Sequence, residues 1–228
     1  MKKKSIYSQR RIKLRERCSG KKADGFLTFD QCVIFYLTGF PTAGSFLLIS
    51  KAGDFLFAPL LLGEQAKTLL KSESGLTVFS ESKLLKSLQT TIANNHLRTI
   101  GYDASKMTVS LFEELTAIRK VKWTALNGFI LEQRMIKDEI ETEAISNACQ
   151  ISIQSYLICV KHLKEGQTEK DTAHQLESLF YRNGSPKEGF ETIVAFGEHS
   201  AYPHHAVTDK RLSKNSVVLM DLGCTVEG

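Results

Sequence analysis

Short apolar runs alternate with amphipathic stretches through the first half of the chain. Residues 25–29 (GFLTF) and 33–37 (VIFYL) read as strands. Residues 45–50 (SFLLIS) and 54–58 (DFLFA) flank Lys51-Ala52-Gly53, the pattern of a hairpin closed by a turn of small residues. Residues 76–79 add a further strand, and residues 99–102 and 121–125 two more. Between them, residues 81–95 place Leu84, Leu85, Leu88 and Ile92 at helical spacing, with Ser80 or Ser82 as the expected cap. Residues 105–118 read as helix, and a basic helix near residues 8–18 opens the chain. Alternation of this kind predicts an α/β layer domain around a central sheet.

The period changes after Asn127-Gly128. From residue 137 to 163, Ile145, Ala148, Ser152, Tyr156, Cys159 and Leu163 recur on one side, predicting a long amphipathic helix that ends at Glu165-Gly166. Thr168 followed by Asp171 forms an approximate capping box for a second helix. That helix should bury Ala173, Leu176, Leu179 and Phe180 and stop at Asn183-Gly184. Three strand-like pieces follow: residues 192–195, a short polar run through His204 and His205, and residues 217–220. The boundary between the two styles falls near residues 128–136, dividing a domain of residues 1–130 from one of 131–228.

Composition narrows the class. With 228 residues, 42% of them hydrophobic and 24% charged, the chain has the make-up of a globular protein. No apolar stretch approaches the roughly 20 residues that span a bilayer. The run Met1-Lys2-Lys3-Lys4 resembles the start of a signal peptide, but polar and basic residues follow it. The expectation is a cytoplasmic protein without a membrane partner. The net charge of +5 is concentrated in residues 1–22, where ten Lys or Arg face the single acid Glu16. No aromatic interleaving accompanies that charge, so a solvated first helix with frayed Lys2 to Lys4 is expected rather than a nucleic-acid partner. Five cysteines, none in a C-x-x-C pair, suit reduced packing thiols.

Two clusters could carry chemistry. One is the polar loop from Phe196 to His205. The other is the apolar run Val217-Val218-Leu219-Met220, which leads straight into Asp221. A carboxylate ending a buried strand must be compensated by a cation, a donor or water. Metal ligation is one solution, although strand-end Asp residues more often cap turns. His204 and His205 fit ligand, acid/base or substrate-binding roles, and neighbours on a strand face opposite sides. Plain structural histidines are the commoner case. His96, His162 and His174 read as structural, and His199 stays open. Neither a phosphate-binding glycine loop nor a G-x-S-x-G elbow is present.

Together these segments resemble a known family. Tyr36-Leu37-Thr38-Gly39-Phe40 is similar to the YLTGF signature in the N-terminal domain of Xaa-Pro aminopeptidases and prolidases. Ile136 to Glu141 resembles the entry to their catalytic domain, and Gly166 to Asp171 their G-x-T-E helix start. Phe190 to Gly197, with Ser200, Ala201, Pro203 and His204, resembles their F-x-x-I-V-a-x-G-x-x-s-a-x-P-H run, and Val217 to Gly223 their D-x-G strand. The resemblance implies a creatinase-type N-terminal domain followed by the first part of a pita-bread metallopeptidase domain. It implies two divalent metal ions (Mn, Co or Zn), held by two Asp, one His and two Glu, that activate water against the bond preceding proline. In that alignment Asp221 is a metal ligand and His204 contacts the substrate beside the scissile bond, while His205 is given no role. Proline-containing peptides are the implied partners, and the N-terminal domain admits a homodimer.

The remaining ligands of the set are not among these residues, and Asp209 and Glu227 do not replace them by spacing. One Asp cannot hold a dinuclear site. Residues 1–228 alone are therefore expected to be inactive and prone to aggregate, or only partly folded after about residue 137; a fragment, an interrupted reading frame or a genuine short form would account for the ending. Two other readings use the same scaffold: creatinase-like amidinohydrolysis, and a non-catalytic peptide- or protein-binding platform.

Overall fold

Neighbouring residues of the first strands face opposite ways, and each finds its own apolar layer. The computed structural model describes residues 5–228; Met1 to Lys4, where frayed lysines are expected, lie outside them. The chain divides into two units, residues 1–136 and 137–228. In the first, β1 (Gly25–Thr28), β2 (Phe46–Ser50), β3 (Gly53–Ala58), β4 (Leu76–Ser80), β5 (Thr99–Tyr102) and β6 (Lys122–Ala125) form one sheet in the order β4-β3-β2-β1-β5-β6. The β1–β2 and β2–β3 pairs are antiparallel and the other three parallel. Phe26, Leu47 and Leu56 pack on one face with Leu14, Ile34, Leu37 and Phe129. Leu27, Leu48 and Phe57 pack on the other with Leu88, Ile92, Ile100 and Leu115. Period-two alternation thus supplies both layers of the core.

A row of rings braces the second layer. Phe29 lies tilted against Phe46, and Phe46, Phe57 and Phe79 stack in succession, at centroid separations of 5.0, 4.9 and 5.2 Å. The ladder register places Phe46 opposite Phe57 and Phe57 opposite Phe79. Across the other face runs α1 (Ile6–Gly20), capped by the Ser5 hydroxyl. Its Arg11 is fully buried. The guanidinium donates to Asp54 Oδ2 at 3.0 Å, to the Leu37 carbonyl at 2.8 Å, and to Glu73 Oε2 and the Ser74 carbonyl at 3.2 Å each. Asp54 also receives Arg15 at 2.5 Å, so the buried charges are paired and hydrogen-bonded.

Residues 33–37, expected as a strand, are instead the body of helix α2 (Gln31–Thr38). Asp30 caps it, accepting from the backbone N–H of Cys32 and Val33, and Gly39 ends it in the left-handed conformation at φ 72°. A side chain at Gly39 would also strike the Tyr7 ring. The helix is buried almost all round, which erases the one-sided pattern that distinguishes helix from strand. The YLTGF stretch is therefore a helix end and its stop signal. Two short helices had no expectation, α3 (Leu60–Leu69) and α6 (Phe129–Met135). The helix α4 (Leu84–Asn94) follows Lys83 without a side-chain cap, so neither Ser80 nor Ser82 fills that role; Ser80 ends β4. The stretch expected as one helix at residues 105–118 is a 3₁₀ turn at Ala104–Lys106 and then α5 (Val109–Thr116), capped by Thr108.

In the second unit, α7 (Glu139–His162) carries a full capping box between Asp138 and Glu141. The expected stripe is met in part, with Ala148, Ser152 and Leu163 partly buried. Ser155 and Cys159 are buried, while Ile145 and Tyr156 are 49% and 42% exposed. Small residues face inward, and the Cys224 thiol donates to the Ala148 carbonyl. The helix α8 (Glu169–Arg182) starts from a second capping box, Thr168 with Asp171, and buries Ala173, Leu176, Leu179 and Phe180. Two antiparallel pairs accompany the helices: β7 (Lys187–Glu188) with β10 (Cys224–Thr225), and β8 (Ile193–Phe196) with β9 (Val218–Asp221). The polar run through His204 and His205 is turn and loop, not strand. Among the five free cysteines, Cys18 and Cys159 are buried and Cys32 and Cys149 exposed. No helix among the described residues is long and apolar enough to cross a membrane.

Candidate functional site

The apolar run at 217–220 pairs with an equally apolar strand, which fixes where Asp221 emerges. In the β8–β9 register Val218 lies opposite Phe196 and Asp221 opposite Ile193. Asp221 is exposed, and among the described residues its carboxylate has no hydrogen bond or ion pair. It does not close a turn with its own side chain, and its oxygens are free to accept a cation. A hard carboxylate of this kind fits one ligand position of a divalent site.

His204 lies on the loop that leaves the other end of β8. A 3₁₀ turn, Gly197–Ala201, follows Phe196, and His204 comes just after it, exposed and without a hydrogen-bond partner among the described residues. Ile193 and Phe196 are three residues apart, roughly 10 Å along a strand. Asp221 and His204 share no hydrogen bond.

What holds this loop is a residue given no catalytic part in the sequence reading. Glu169, the first residue of α8, is fully buried. Its Oε1 accepts from the Phe196 backbone N–H at 2.9 Å and from His199 Nδ1 at 2.8 Å. Its Oε2 accepts from His205 Nε2 at 2.8 Å, the Thr208 backbone N–H at 3.0 Å and the Thr208 hydroxyl at 2.5 Å. Burial pushes this carboxyl up, but the Thr208, His205, Phe196 and His199 donors outweigh it and hold its pKa at about 2. The backbone adds its own clasp: Glu169 N–H donates to the Lys210 carbonyl and Lys170 N–H to the Thr208 carbonyl. The free N–H groups of the first turn of α8 are thereby satisfied by the far end of the same loop.

Ligand atoms of Glu169, His199 and His205 lie within 4.8 Å of one another, a spacing that could admit a metal ion. The donor set argues otherwise. An ionised carboxylate only accepts, so the two ring nitrogens facing it carry hydrogens. A cation would have to displace both protons and compete with three further donors. The trio is a hydrogen-bonded hub.

Sequence reasoning left His199 open, gave His205 no role and read Glu169 only as a letter in a helix-start motif. Thr208 belongs to none of the motifs read in the sequence. The contacts span 27 to 39 positions, and no local pattern encodes them. The one available signal was an unpaired Glu at the start of a helix whose next apolar residues are all buried.

Comparison with known proteins defines the class. Residues 10–136 match the creatinase/prolidase N-terminal domain, and residues 143–228 match metallopeptidase family M24. The architecture is that N-terminal domain joined to the start of an M24 pita-bread domain. The chain belongs to the creatinase/prolidase family. It is 30% identical over 220 residues to a Xaa-Pro dipeptidase of Pyrococcus horikoshii, covering 96% of this chain and 60% of that protein. An X-Pro aminopeptidase structure from Thermotoga maritima superimposes with a TM-score of 0.84 at 29% identity, over 95% of this chain and 61% of that one. The prolidase structure from Pyrococcus horikoshii gives 0.83 at 27% identity, over 98% and 62%. A Xaa-Pro dipeptidase from Bacillus anthracis shares the fold at 0.89 and 20% identity, over 97% and 62%. The chain thus spans about 60% of the length of the curated relative from Pyrococcus horikoshii.

Proposed function

We propose that this chain is part of a metal-dependent exopeptidase that cleaves the bond between an N-terminal residue and proline. The observation that carries the reading is Asp221: an unpartnered carboxylate at the end of an apolar strand, in a chain of a metallopeptidase family. Asp221 would hold a divalent cation through its free oxygens, and His204 would meet the substrate from the loop. Two such cations, when bound, would lower the pKa of a water and polarise the scissile carbonyl. The other ligands implied by the resemblance are not among residues 1–228, so this polypeptide by itself should not turn over substrate.

Both the aminopeptidase and the dipeptidase forms of the reaction find support, the first in the Thermotoga maritima structure and the second in the Pyrococcus horikoshii protein. We favour the aminopeptidase form. Five unpaired thiols support a cytoplasmic setting.

The test replaces the matching part of the Pyrococcus horikoshii dipeptidase by residues 1–228 and assays Xaa-Pro and Xaa-Pro-Yaa peptides with manganese. Hydrolysis of the longer peptide is expected, with Asp221→Ala lowering kcat/KM by about 10³-fold or more and His204→Ala by about 10²-fold. Full activity in the Asp221→Ala chimaera, or turnover by residues 1–228 alone, contradicts the assignment.

A further inference from the structure

We infer that Glu169 is the positioning residue of the loop that presents His204, and that it acts by fixing opposite tautomers on the two histidines flanking it. The meaning of His204 rests on the peptidase reading above; the clasp itself does not.

His204 makes no hydrogen bond of its own among the described residues, so its place is set by what holds its neighbours. Those neighbours converge on one carboxylate. Phe196 and His199 bind one oxygen, and His205 and Thr208 the other. Between the two histidines the chain runs only through residues 200–204, and the rings of His199 and His205 stand 4.5 Å apart at their centroids. His199 must carry its hydrogen on Nδ1, because that nitrogen faces an acceptor-only oxygen. His205 must carry its own on Nε2 for the same reason.

The site accepts no amide. Each oxygen of Glu169 receives a main-chain N–H, from Phe196 on one side and Thr208 on the other, and main-chain donors cannot be reversed. The nitrogen of a glutamine would confront one of them in either orientation. Glu169→Gln therefore keeps shape and still removes the clasp. Glu169→Asp keeps both acceptors but is one methylene too short to reach all five donors.

The experiment is histidine side-chain NMR on the 228-residue chain, using long-range nitrogen–proton correlations. Expected in the wild type are an Nδ1–H tautomer for His199, an Nε2–H tautomer for His205 and one set of signals for His204. In Glu169→Gln both tautomers should become mixed and the His204 signals should split or broaden, while the amide signals of Val194 and Met220 hold their positions in the β8–β9 pair. Should that variant fail to fold, His199→Phe and His205→Gln each remove one ring donor and should broaden His204 alone. The opposite tautomer on either wild-type ring overturns the inference. So does an unchanged His204 spectrum in a folded variant that has lost both tautomers. These signals need no turnover, so failure of the peptidase assignment and failure of the clasp are read separately.

Discussion

At the scale of single residues, two buried ions govern how this chain responds to acid and to substitution. Glu169 has a folded-state pKa of about 2 against an ordinary 4.5. Its folded value is depressed, so its contribution is present above the unfolded pKa and is lost as pH falls from about 4.5 towards 2. The shift corresponds to about 3 kcal/mol at neutral pH. Unfolding of the second unit by urea, followed through the amides of Val194 and Met220, should show Glu169→Gln far weaker than wild type at pH 7. The gap should narrow steadily below pH 4. Arg11 governs the first unit. Arg11→Met leaves Glu73 only the Ser5 hydroxyl and Asp54 only Arg15, which should cost about 3 kcal/mol. Trp123, the single tryptophan, lies in the same unit and reports the loss as a lower urea midpoint. Neither ion was visible as such in the sequence, where Arg11 reads as one more charge of a solvated helix. Burial and pairing across 43 positions appear only in the fold.

Among elements, legibility followed one-sidedness. The strands β2, β3, β5 and β8 were readable because each alternates or runs apolar between turn signals, and α8 because capping residue and buried face agree. The helix α2 was misread because it is buried all round. The helix α7 was placed correctly and its inward stripe only in part: Ala148, Ser152, Cys159 and Leu163 face the unit, whereas Ile145 and Tyr156 do not. Its large side chains, Ile153 at 58% and Leu157 at 59% exposure among them, lie outward, while small residues meet the rest of the unit. A face of that kind promotes association. Ile153→Lys combined with Leu157→Lys should change stability by less than about 0.5 kcal/mol per site, since neither side chain is buried. The same pair should raise the monomer fraction in size-exclusion chromatography at high protein concentration. An unfolded double variant would show that this face is covered after all.

For the whole molecule, the division at residue 136 is the organising fact. The first unit has a closed account of its own: one mixed sheet, a core layer on each face, and an ion network with all its partners inside. A fragment of residues 1–136 should therefore fold alone, with the fluorescence maximum of Trp123 and the thermal midpoint it has in the longer chain. A red-shifted emission and no cooperative transition would refute that autonomy. The second unit has a smaller core, centred on Cys159, Leu176, Phe180, Val194 and Phe196. The succession of sheet-forming and helix-forming halves was legible from the change of period after Asn127-Gly128. The pairing of β7 with β10 across 36 to 38 positions of chain was not, because two-residue strands leave no periodic trace.

The cysteines give this arrangement a practical handle. Burial raises Cys18 to about 12 and also raises Cys159, so both stay protonated and shielded from electrophiles. Cys32 on α2 and Cys149 on α7 face solvent, one in each unit. A maleimide dye pair would therefore settle first on these two, leaving the hydrogen-bonded Cys224 for slower reaction. The sequence thus comes supplied with one solvent-facing thiol in each unit, a label site for each half that needs no engineered cysteine.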